Sequence, residues 1–235
     1  MKIISLNIEI NKHYSRIFSF FFNESADIIL IQDILEADLE FFKDKLQMEF
    51  VFIPFAKLKL SEGIKTVGIA TFSKLKIIKT ESNYYRGTKD LIQIIESDEP
   101  HKMTSAILTT FIENETKQLV FINTFFNWAD GGVPTQAQLI DLGKLLKLIA
   151  RYRDFVLCGD FNAPRGKEVF DKLASTYKDN IPKDVTSTID KNLHHAGDLN
   201  IVVDGLFSTR YLVENVHVVD GVSDHKAIVA DTTYN

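Results

Sequence analysis

The feature of this chain that most constrains its fold is a succession of short apolar segments rich in β-branched and aromatic residues. Each has the length and composition of a β-strand, and together they extend from one end of the chain to the other. The predicted strands are residues 2–10, 27–31, 50–55, 66–72, 105–112, 118–126, 154–159, 200–207 and 227–231. Because strands outnumber helices and their order is irregular, the chain predicts a mixed α/β fold.

Helical periodicity is weaker and is confined to a few stretches. The clearest runs from Pro134 to Tyr152, where leucines recur on one face and the proline suits a first helical turn. Further helices are predicted over residues 36–46, 14–22 and 167–174. No repeat or linker divides the chain, so we expect one domain over residues 1–235. The polar stretch 177–198 is expected to be a functional or mobile loop.

Composition excludes several classes of protein. The 235 residues are 45% hydrophobic and 25% charged, as in ordinary globular proteins, and the net charge of -5 supplies no overall positive field for nucleic acid or anionic lipid. The net charge does not exclude a local basic groove. One cysteine, Cys158, cannot form an internal disulfide. No apolar stretch approaches the roughly 18 residues of a membrane span, and we expect a soluble, cytoplasmic monomer whose N-terminus is a strand.

Polar side chains recur at or just beyond the carboxyl ends of the predicted strands. Sheets present functional groups at such positions, and an acid or amide there is available for binding or catalysis. These residues are Asn7, Glu9, Gln32, Asp33, Asn123, Asp160 and Asn162. Gly159-Asp160 alone is also typical of a strand-to-turn exit, so the pattern as a whole, rather than any one residue, indicates a site.

Asp204 differs because it lies inside an apolar strand, where an unpaired charge would be costly if buried. It therefore needs a partner. His225, which follows Asp224 and precedes the last apolar segment, is a natural partner because a carboxylate fixes the tautomer of a histidine and raises its basicity.

Taken in order, these residues resemble the motifs of the endonuclease/exonuclease/phosphatase superfamily, which has a deoxyribonuclease-I-like fold. Individually the motifs are only moderately specific, but their order and spacing from position 5 to position 225 are hard to obtain by accident. The matching segments are Ser5-Leu6-Asn7-Ile8-Glu9, Ile31-Gln32-Asp33, Gly68-Ile69-Ala70, Ile122-Asn123-Thr124, Gly159-Asp160-Phe161-Asn162, Val203-Asp204-Gly205-Leu206-Phe207 and Ser223-Asp224-His225.

The resemblance implies a four-layer α/β sandwich, in which two packed mixed β-sheets are flanked by helices. It also implies hydrolysis of phosphate esters with Mg²⁺, for which Mn²⁺ could substitute, since a hard cation neutralises charge in the transition state. We expect Asp160 to orient or deprotonate the attacking water and Asn162 to donate to a phosphate oxygen. His225, oriented by Asp204, would stabilise the pentacovalent transition state or move a proton. Asn7 would help to hold the carboxylates that bind the metal, and the phosphate.

The predicted metal ligands are Asp33, Glu9 and Asp224. The family usually has Glu where this chain has Asp33, and the shorter side chain would retract a principal ligand by about 1.5 Å. Glu9 could compensate, because residues i and i+2 of a strand point to the same face and Glu9 would then lie beside Asn7. The hypothesis is that the longer side chain of Glu9 compensates for the shorter side chain of Asp33, and that the two carboxylates hold one ion together. Asp33 could otherwise be a solvated residue opening the next helix.

A second departure is Phe125, at a position where the family has His or Tyr. Phe cannot donate a hydrogen bond, so another residue would have to contact the phosphate or the leaving group. The candidates for this contact are Trp128, Tyr85, Arg86 and Arg165. The residues expected to bind the substrate are Arg165, Trp128 and Asn123. His194-His195 suggests a metal site, but no third ligand lies at suitable spacing, so a polar loop is favoured.

Three functions remain open from the sequence. The leading prediction is a nuclease or phosphodiesterase that acts on nucleic acid, and the alternative is a phosphatase of small esters such as phosphoinositides or nucleotides. A binding protein that has lost activity ranks last, because a decayed site has no physical reason to keep so many costly polar groups. A long basic rim would favour nucleic acid, and a closed pocket would favour a small ester.

Overall fold

The structure is a computed structural model that describes residues 1–95, 102–114 and 117–234. Its helices are α1 (Tyr14–Glu24), α2 (Leu39–Leu46), α3 (Gln136–Ile149) and α4 (Glu168–Thr176). Its strands are β1 (Lys2–Asn7), β2 (Ile28–Leu35), β3 (Glu49–Leu60), β4 (Gly63–Ser73), β5 (Ile77–Arg86), β6 (Ile94–Ile95), β7 (Ser105–Asn114), β8 (Lys117–Phe125), β9 (Val156–Asp160), β10 (Lys178–Asp179), β11 (Asp204–Ser208), β12 (Tyr211–Val219) and β13 (Ala227–Tyr234). None of the helices within these ranges is long and apolar enough to cross a membrane.

The strands form two mixed sheets that pack face to face. One sheet has the order β12-β13-β1-β2-β4-β3-β6, and the other has the order β10-β11-β9-β8-β7-β5. Both are mixed, because β1 pairs with β2 and β8 with β9 in parallel while the neighbouring pairs are antiparallel. A shared apolar cluster joins Ile53 and Phe55 of the first sheet to Leu108 and Phe125 of the second.

Helices cover the outer face of each sheet. Phe18 and Phe21 of α1 and Phe42 of α2 pack against alternate residues of β1 and β2 in one apolar cluster. On the other side, α3 and α4 bury their apolar faces against β8, β9 and β11. The order of layers is therefore helix, sheet, sheet, helix, and the four-layer sandwich expected from the sequence is confirmed.

The structure differs from the prediction mainly at strand ends and at polar strands. β1 ends at Asn7 rather than Ile10, and β2 continues through Asp33 to Leu35. β5 and β12 were not predicted, because each carries charged and polar residues on an exposed face. These two lie at or next to a sheet edge, where one-sided solvent exposure hides the apolar signal of a strand.

Asn123 clamps the two sheets together, which corrects its prediction as a substrate contact. It lies on β8 and is completely buried, at 0% exposure. Its Nδ2 donates to the carbonyl oxygens of Ile31, at 3.0 Å, and Ala70, at 2.9 Å, across the sheet interface. Its Oδ1 accepts from Gln32 Nε2 at 2.7 Å. Because every polar atom of the amide is already bonded in the core, this side chain has none to offer a substrate.

We expect Asn123→Leu to lower the free energy of unfolding by about 2–4 kcal/mol, because two buried carbonyls lose their Asn123 donor and Gln32 Nε2 loses its shortest hydrogen bond. The control is Thr110→Val, which removes a buried hydroxyl that has no hydrogen-bond partner among the described residues and should change stability little. Urea denaturation followed by circular dichroism measures both variants. Equal midpoints for Asn123→Leu and the wild type would show that the clamp contributes nothing.

Candidate active site

The candidate site lies at one end of the sandwich, where strands of both sheets meet. Asn7 ends β1, Asp33 lies near the end of β2 and Asp160 ends β9. Asp204 begins β11 directly opposite Asp160 in the antiparallel register, and His225 lies just before β13. The fold thus gathers at one place residues that are as much as 218 positions apart in sequence, from Asn7 to His225.

Asp160 is positioned by a close approach of two backbones. A Cβ atom on the preceding residue, Gly159, would lie only 2.1 Å from the carbonyl oxygen of Thr124, so glycine alone lets β9 lie this close to β8. Beyond it, Asp160 Oδ1 accepts from the backbone N–H of Asn162 at 2.8 Å, and Oδ2 accepts from Asn7 Nδ2 at 3.2 Å. The carboxylate is therefore held from both sheets.

Asp204 and His225 form the pair expected from the sequence. His225 Nδ1 lies 2.9 Å from Asp204 Oδ2 and 3.2 Å from Oδ1, and His225 Nε2 faces Asp160 Oδ2 at 3.9 Å. The hydroxyl of Thr188 accepts from the backbone N–H of Asp204 at 3.2 Å and so braces the start of β11. The three side chains form a row, Asp204–His225–Asp160, in the interior of the site.

Burial and the charges of neighbouring side chains shift the pKa values of Asp160 and His225. Burial raises the pKa of Asp160 to about 7; the charge of His225 opposes this increase and that of Asp204 adds to it. Burial alone would lower the pKa of His225, but Asp204 and Asp160 outweigh it and raise that pKa well above its usual value. A carboxyl that titrates near neutrality is suited to exchange a proton with a bound water.

Asp33 occupies a β-bulge at the end of β2. The register between β2 and β4 shifts between Ile31 and Ile34, and Asp33 has a left-handed backbone conformation with φ of 57°. Burial raises the pKa of Asp33 to about 6; a hydrogen bond from Asn7 opposes that shift and the charge of Asp224 adds to it. The bulge places the Asp33 carboxyl close enough to Asp160 and Asp224 for their charges to interact.

Glu9 does not lie beside Asn7 on a strand, so the geometric premise of the proposed compensation for Asp33 is wrong. The strand ends at Asn7, whose Oδ1 accepts from the Glu9 backbone N–H at 3.1 Å, and Glu9 itself has φ of 48°. Its carboxylate binds Lys12 and also His13 Nε2, the latter at 2.9 Å. Burial raises the pKa of Glu9, but these two bonds outweigh it and hold that pKa below its usual range.

The donor set of the site fits a hard divalent cation. Asp33, Asp160, Asp204 and Asp224 gather around the basic side chain of His225, so four carboxyl groups surround one imidazole. In the part of the chain that the structure describes, one group of acidic and histidine side chains has all its ligand atoms within 4.8 Å of one another, namely Asp160, Asp204 and His225. Carboxylate oxygens are the ligands that Mg²⁺ prefers.

Asn162 faces the same site from the turn after β9. It has a left-handed conformation with φ of 48°, which asparagine tolerates better than most residues. Its Nδ2 donates to the carbonyl oxygen of Phe126 at 3.0 Å, and this bond uses one of the two amide hydrogens. The other hydrogen is available for a substrate oxygen.

Arg165 has a structural role, which corrects its prediction as a phosphate contact. It forms an ion pair with Asp179 at 3.0 Å and donates to the carbonyl oxygens of Ile181 and Pro182 at 3.1 and 3.2 Å. The guanidinium therefore fastens the start of the long loop to the turn after β9. Its charge is already compensated by Asp179, so it is not free to bind phosphate.

A cavity of about 360 Å³ opens beside His225. Its polar side chains come from Trp128, Asn162, His194, His195 and His225, and every other lining residue is Gly, Ala, Pro, Ile, Leu or Val. Among the described residues, no lysine, arginine, aspartate or glutamate lines it. Trp128, which the sequence suggested as a substrate contact, is 43% exposed and lines this cavity.

The position of His194 and His195 beside the cavity was not predicted from the sequence. The long loop carries them to the cavity, and the His194 ring lies 6.5 Å from that of His225, centroid to centroid. The loop is attached to the site by a bridge between Ile189 and His225 and by the Asp190 N–H, which donates to the Asp224 carbonyl at 2.8 Å. The paired histidines were the one signal in the sequence, but nothing in their spacing showed where the loop would lie.

Phe125 leaves no polar group at its position. Its ring stacks on Phe55 at 4.4 Å with an interplanar angle of 3° and is 7% exposed. Two candidates for the missing contact are also engaged elsewhere. Tyr85 is buried and donates to the Phe125 carbonyl at 3.0 Å, and Arg86 pairs with Asp141 at 2.8 Å. Of the candidates considered from the sequence, Trp128 is the one that lines the cavity.

Comparison with known proteins supports the family resemblance and the fold. The model of the Endonuclease/Exonuclease/phosphatase family matches residues 4–225. No curated protein sequence matches the chain. Similar solved structures include a functionally unknown conserved protein from Enterococcus faecalis V583, with 16% identity, 100% of both chains covered and a TM-score of 0.75. An endonuclease/exonuclease/phosphatase family protein from Leptotrichia buccalis C-1013-b has 16% identity, full coverage of both chains and a TM-score of 0.74. A mannosyl-6-phosphatase from Bacteroides thetaiotaomicron VPI-5482 has 14% identity, full coverage of both and a TM-score of 0.70. At these identities the structural matches show the fold alone.

Proposed function

This chain belongs to the endonuclease/exonuclease/phosphatase family, and from that premise we propose that it is a divalent-metal-dependent hydrolase of phosphate esters. The observation that carries the proposal is the buried row Asp204–His225–Asp160, with Asn7 and Asp33 beside it. Buried carboxylates at such density are costly for stability. Their retention next to His225, which lines the cavity, is what a catalytic site requires and what a purely structural core avoids.

We propose that Asp33 and Asp224, which lie outside the close group of Asp160, Asp204 and His225, hold the cation next to Asp160. The cation is Mg²⁺ or its substitute Mn²⁺. Glu9 is not part of this set, because Lys12 and His13 already bind its carboxylate. When bound, a divalent ion supplies positive charge that neutralises the phosphate oxygens as negative charge develops on them.

The remaining roles in our proposal are proton transfer, contact with the phosphate and positioning of the carboxylates. Asp160 accepts a proton from the attacking water through its carboxylate, whose pKa of about 7 suits that exchange. His225, held at Nδ1 by Asp204, directs Nε2 at the phosphate and donates to an oxygen of the transition state. Asn162 donates its second amide hydrogen to another phosphate oxygen, and Asn7 holds Asp160 and Asp33 in place.

The cavity favours a small ester over nucleic acid as the substrate. Nucleic acid binding depends on lysine and arginine side chains that neutralise successive phosphates, and neither residue type is found among the described residues lining this cavity. Its volume of about 360 Å³ suits one compact group, and its mostly apolar wall with a tryptophan suits a sugar or an aromatic ring. One solved structure of similar fold is named a mannosyl-6-phosphatase.

A hydrolysis panel tests the proposal. It compares hexose 6-phosphates, inositol phosphates, 4-nitrophenyl phosphate and its bis ester with abasic duplex DNA, single-stranded DNA and RNA, each with Mg²⁺, with Mn²⁺ and with EDTA. We expect metal-dependent turnover and a preference for a small ester. Preference for an oligonucleotide would support the nuclease predicted from the sequence instead. Absence of turnover on every substrate by folded protein would favour a binding protein.

Stabilisation by Mg²⁺ should increase with pH. Asp33 and Asp160 have pKa values of about 6 and about 7 in the folded protein, above the roughly 3.9 of an unfolded aspartate. Such raised values stabilise the fold at low pH, and that contribution is lost as the pH rises through the folded pKa values. The metal-free protein therefore loses stability from about pH 4 to pH 7, where deprotonation also creates the metal ligands.

Thermal unfolding with and without millimolar Mg²⁺ measures this effect. The expected result is an increase of several degrees in Tm at about pH 8 and almost none at about pH 5. Asp33→Asn should remove most of the increase at about pH 8, whereas Asp141→Asn, a buried aspartate on α3 outside the site, should retain it. An increase of the same size at both pH values would contradict the assignment of these carboxyls as ligands.

A further inference from the structure

The long loop between α4 and β11 is fastened to the site at several points. Thr188 accepts from the Val203 and Asp204 N–H groups at 3.0 and 3.2 Å, and its own carbonyl accepts from the Lys226 N–H at 2.7 Å. Asp190 follows, and its carboxylate accepts from the Gly221 N–H. These contacts attach the loop to the chain on both sides of the Asp204–His225 pair, so its position is set by the same residues that build the site.

From this anchor the loop turns back over the cavity and carries His194 with it. The His194 N–H donates to the Asp190 carbonyl at 2.9 Å, and the Gly197 N–H donates to the His194 carbonyl at 2.9 Å. Two successive turns therefore hold the backbone of His194. Its ring is half-buried, lines the cavity and lies edge to face with that of His225, at an interplanar angle of 76°.

A hydrogen bond selects the tautomer of the His194 ring. The backbone N–H of Ala196 donates to His194 Nδ1 at 3.2 Å, so Nδ1 is an acceptor and the proton of the neutral ring lies on Nε2. The ring therefore has a donor at Nε2. The cavity has few other donors, because among the described residues no lysine or arginine lines it and its remaining wall is mostly apolar.

We propose that His194 is a substrate-contacting residue that donates a hydrogen bond from Nε2 to an oxygen of the phosphate ester. This inference rests on the proposed function of the site and extends it to the loop. The contact supplies a donor of a kind that Phe125 lacks, since the Phe125 ring is stacked on Phe55 and has no polar atom. His225 and His194 then contact the phosphate from two walls of one cavity, one from the core of the fold and one from the loop.

The test compares His194→Ala, which removes the donor, with His194→Gln, whose amide nitrogen reaches about the position of Nε2. On the best small ester of the panel, we expect His194→Ala to lower kcat/KM by about 10–10²-fold and His194→Gln to recover a large part of that loss. The control is His217→Ala, an exposed histidine on β12 that should leave kcat/KM unchanged. Circular dichroism spectra and Tm establish that each variant is folded.

A change of less than about threefold in His194→Ala overturns the inference, as does an equal loss in His194→Gln, which would indicate a structural role. If the wild type hydrolyses no ester, the proposed function fails, and calorimetric titration with inorganic phosphate in Mg²⁺ decides the inference separately. A Kd at least about tenfold weaker in His194→Ala than in the wild type supports the contact. An unchanged Kd, or no phosphate binding by the wild type, rejects it.

Discussion

Asp160→Asn should lower kcat by about 10³-fold on any ester that the protein hydrolyses, while leaving it folded. The substitution keeps the shape of the side chain and an oxygen for the Asn162 N–H, but it removes the base that accepts the proton of the attacking water, and general bases contribute about 10²–10⁴-fold. It also removes a buried charge that burial disfavours, as the raised pKa of Asp160 shows, and this gain offsets the loss of the oxygen that accepts from Asn7 Nδ2. The Tm of the metal-free variant should therefore stay close to that of the wild type.

The matched control for this substitution is Asp141→Asn. Asp141 is also buried, but it lies on α3 and pairs with Arg86 and Lys144. Its replacement should lower Tm without changing kcat, which is the reverse of the effect at Asp160. Initial rates at saturating substrate and Mg²⁺ measure both variants. More than a tenth of wild-type kcat in Asp160→Asn would show that Asp160 is not the base.

His225→Ala has the second largest expected effect, a loss of about 10²–10³-fold in kcat, because it removes the donor that faces the phosphate. It also removes the partner of Asp204 and leaves that buried carboxylate without its ion pair. Since His225 lines the cavity, the substitution opens a space that a small molecule can enter. Added imidazole should therefore restore part of the activity, in proportion to its concentration until the space is filled.

Rescue by imidazole distinguishes a chemical role of His225 from a structural one. The control variant, His217→Ala, lies on the exposed face of β12 and should show wild-type rates with and without imidazole. Full activity of His225→Ala, or a loss that imidazole leaves unchanged while Tm falls sharply, would contradict the assignment of His225 as a phosphate donor.

Much of the fold could be predicted from the sequence, because its buried strands and helices carry clear periodicity. The failures have a physical cause. β12 was missed because Glu214, Asn215 and His217 face solvent, so the strand lacks an apolar face in that part of the sequence. β1 was predicted too long because Ile8 and Ile10 continue the apolar pattern. In the structure the chain turns after Asn7, and Glu9 forms ion pairs with Lys12 and His13.

The candidate site was predictable where a buried charge required a partner, as with Asp204 and His225. It was not predictable where a polar residue had two possible roles. Asn123 resembled a functional amide but clamps the sheets, and Arg165 resembled a phosphate ligand but fastens a loop. The position of the long loop could not be predicted for a different reason. No local sequence pattern indicates that Ile189 pairs with His225, and this pairing brings His194 to the cavity.

The most direct test of the proposed function is the release of inorganic phosphate from a small phosphate monoester by the wild-type protein. The proposal predicts turnover in millimolar Mg²⁺, its loss on addition of EDTA and its return when excess Mg²⁺ is restored. Turnover that persists unchanged in EDTA, or no turnover by folded protein with either Mg²⁺ or Mn²⁺, would contradict a metal-dependent phosphatase built on Asp33, Asp160 and His225.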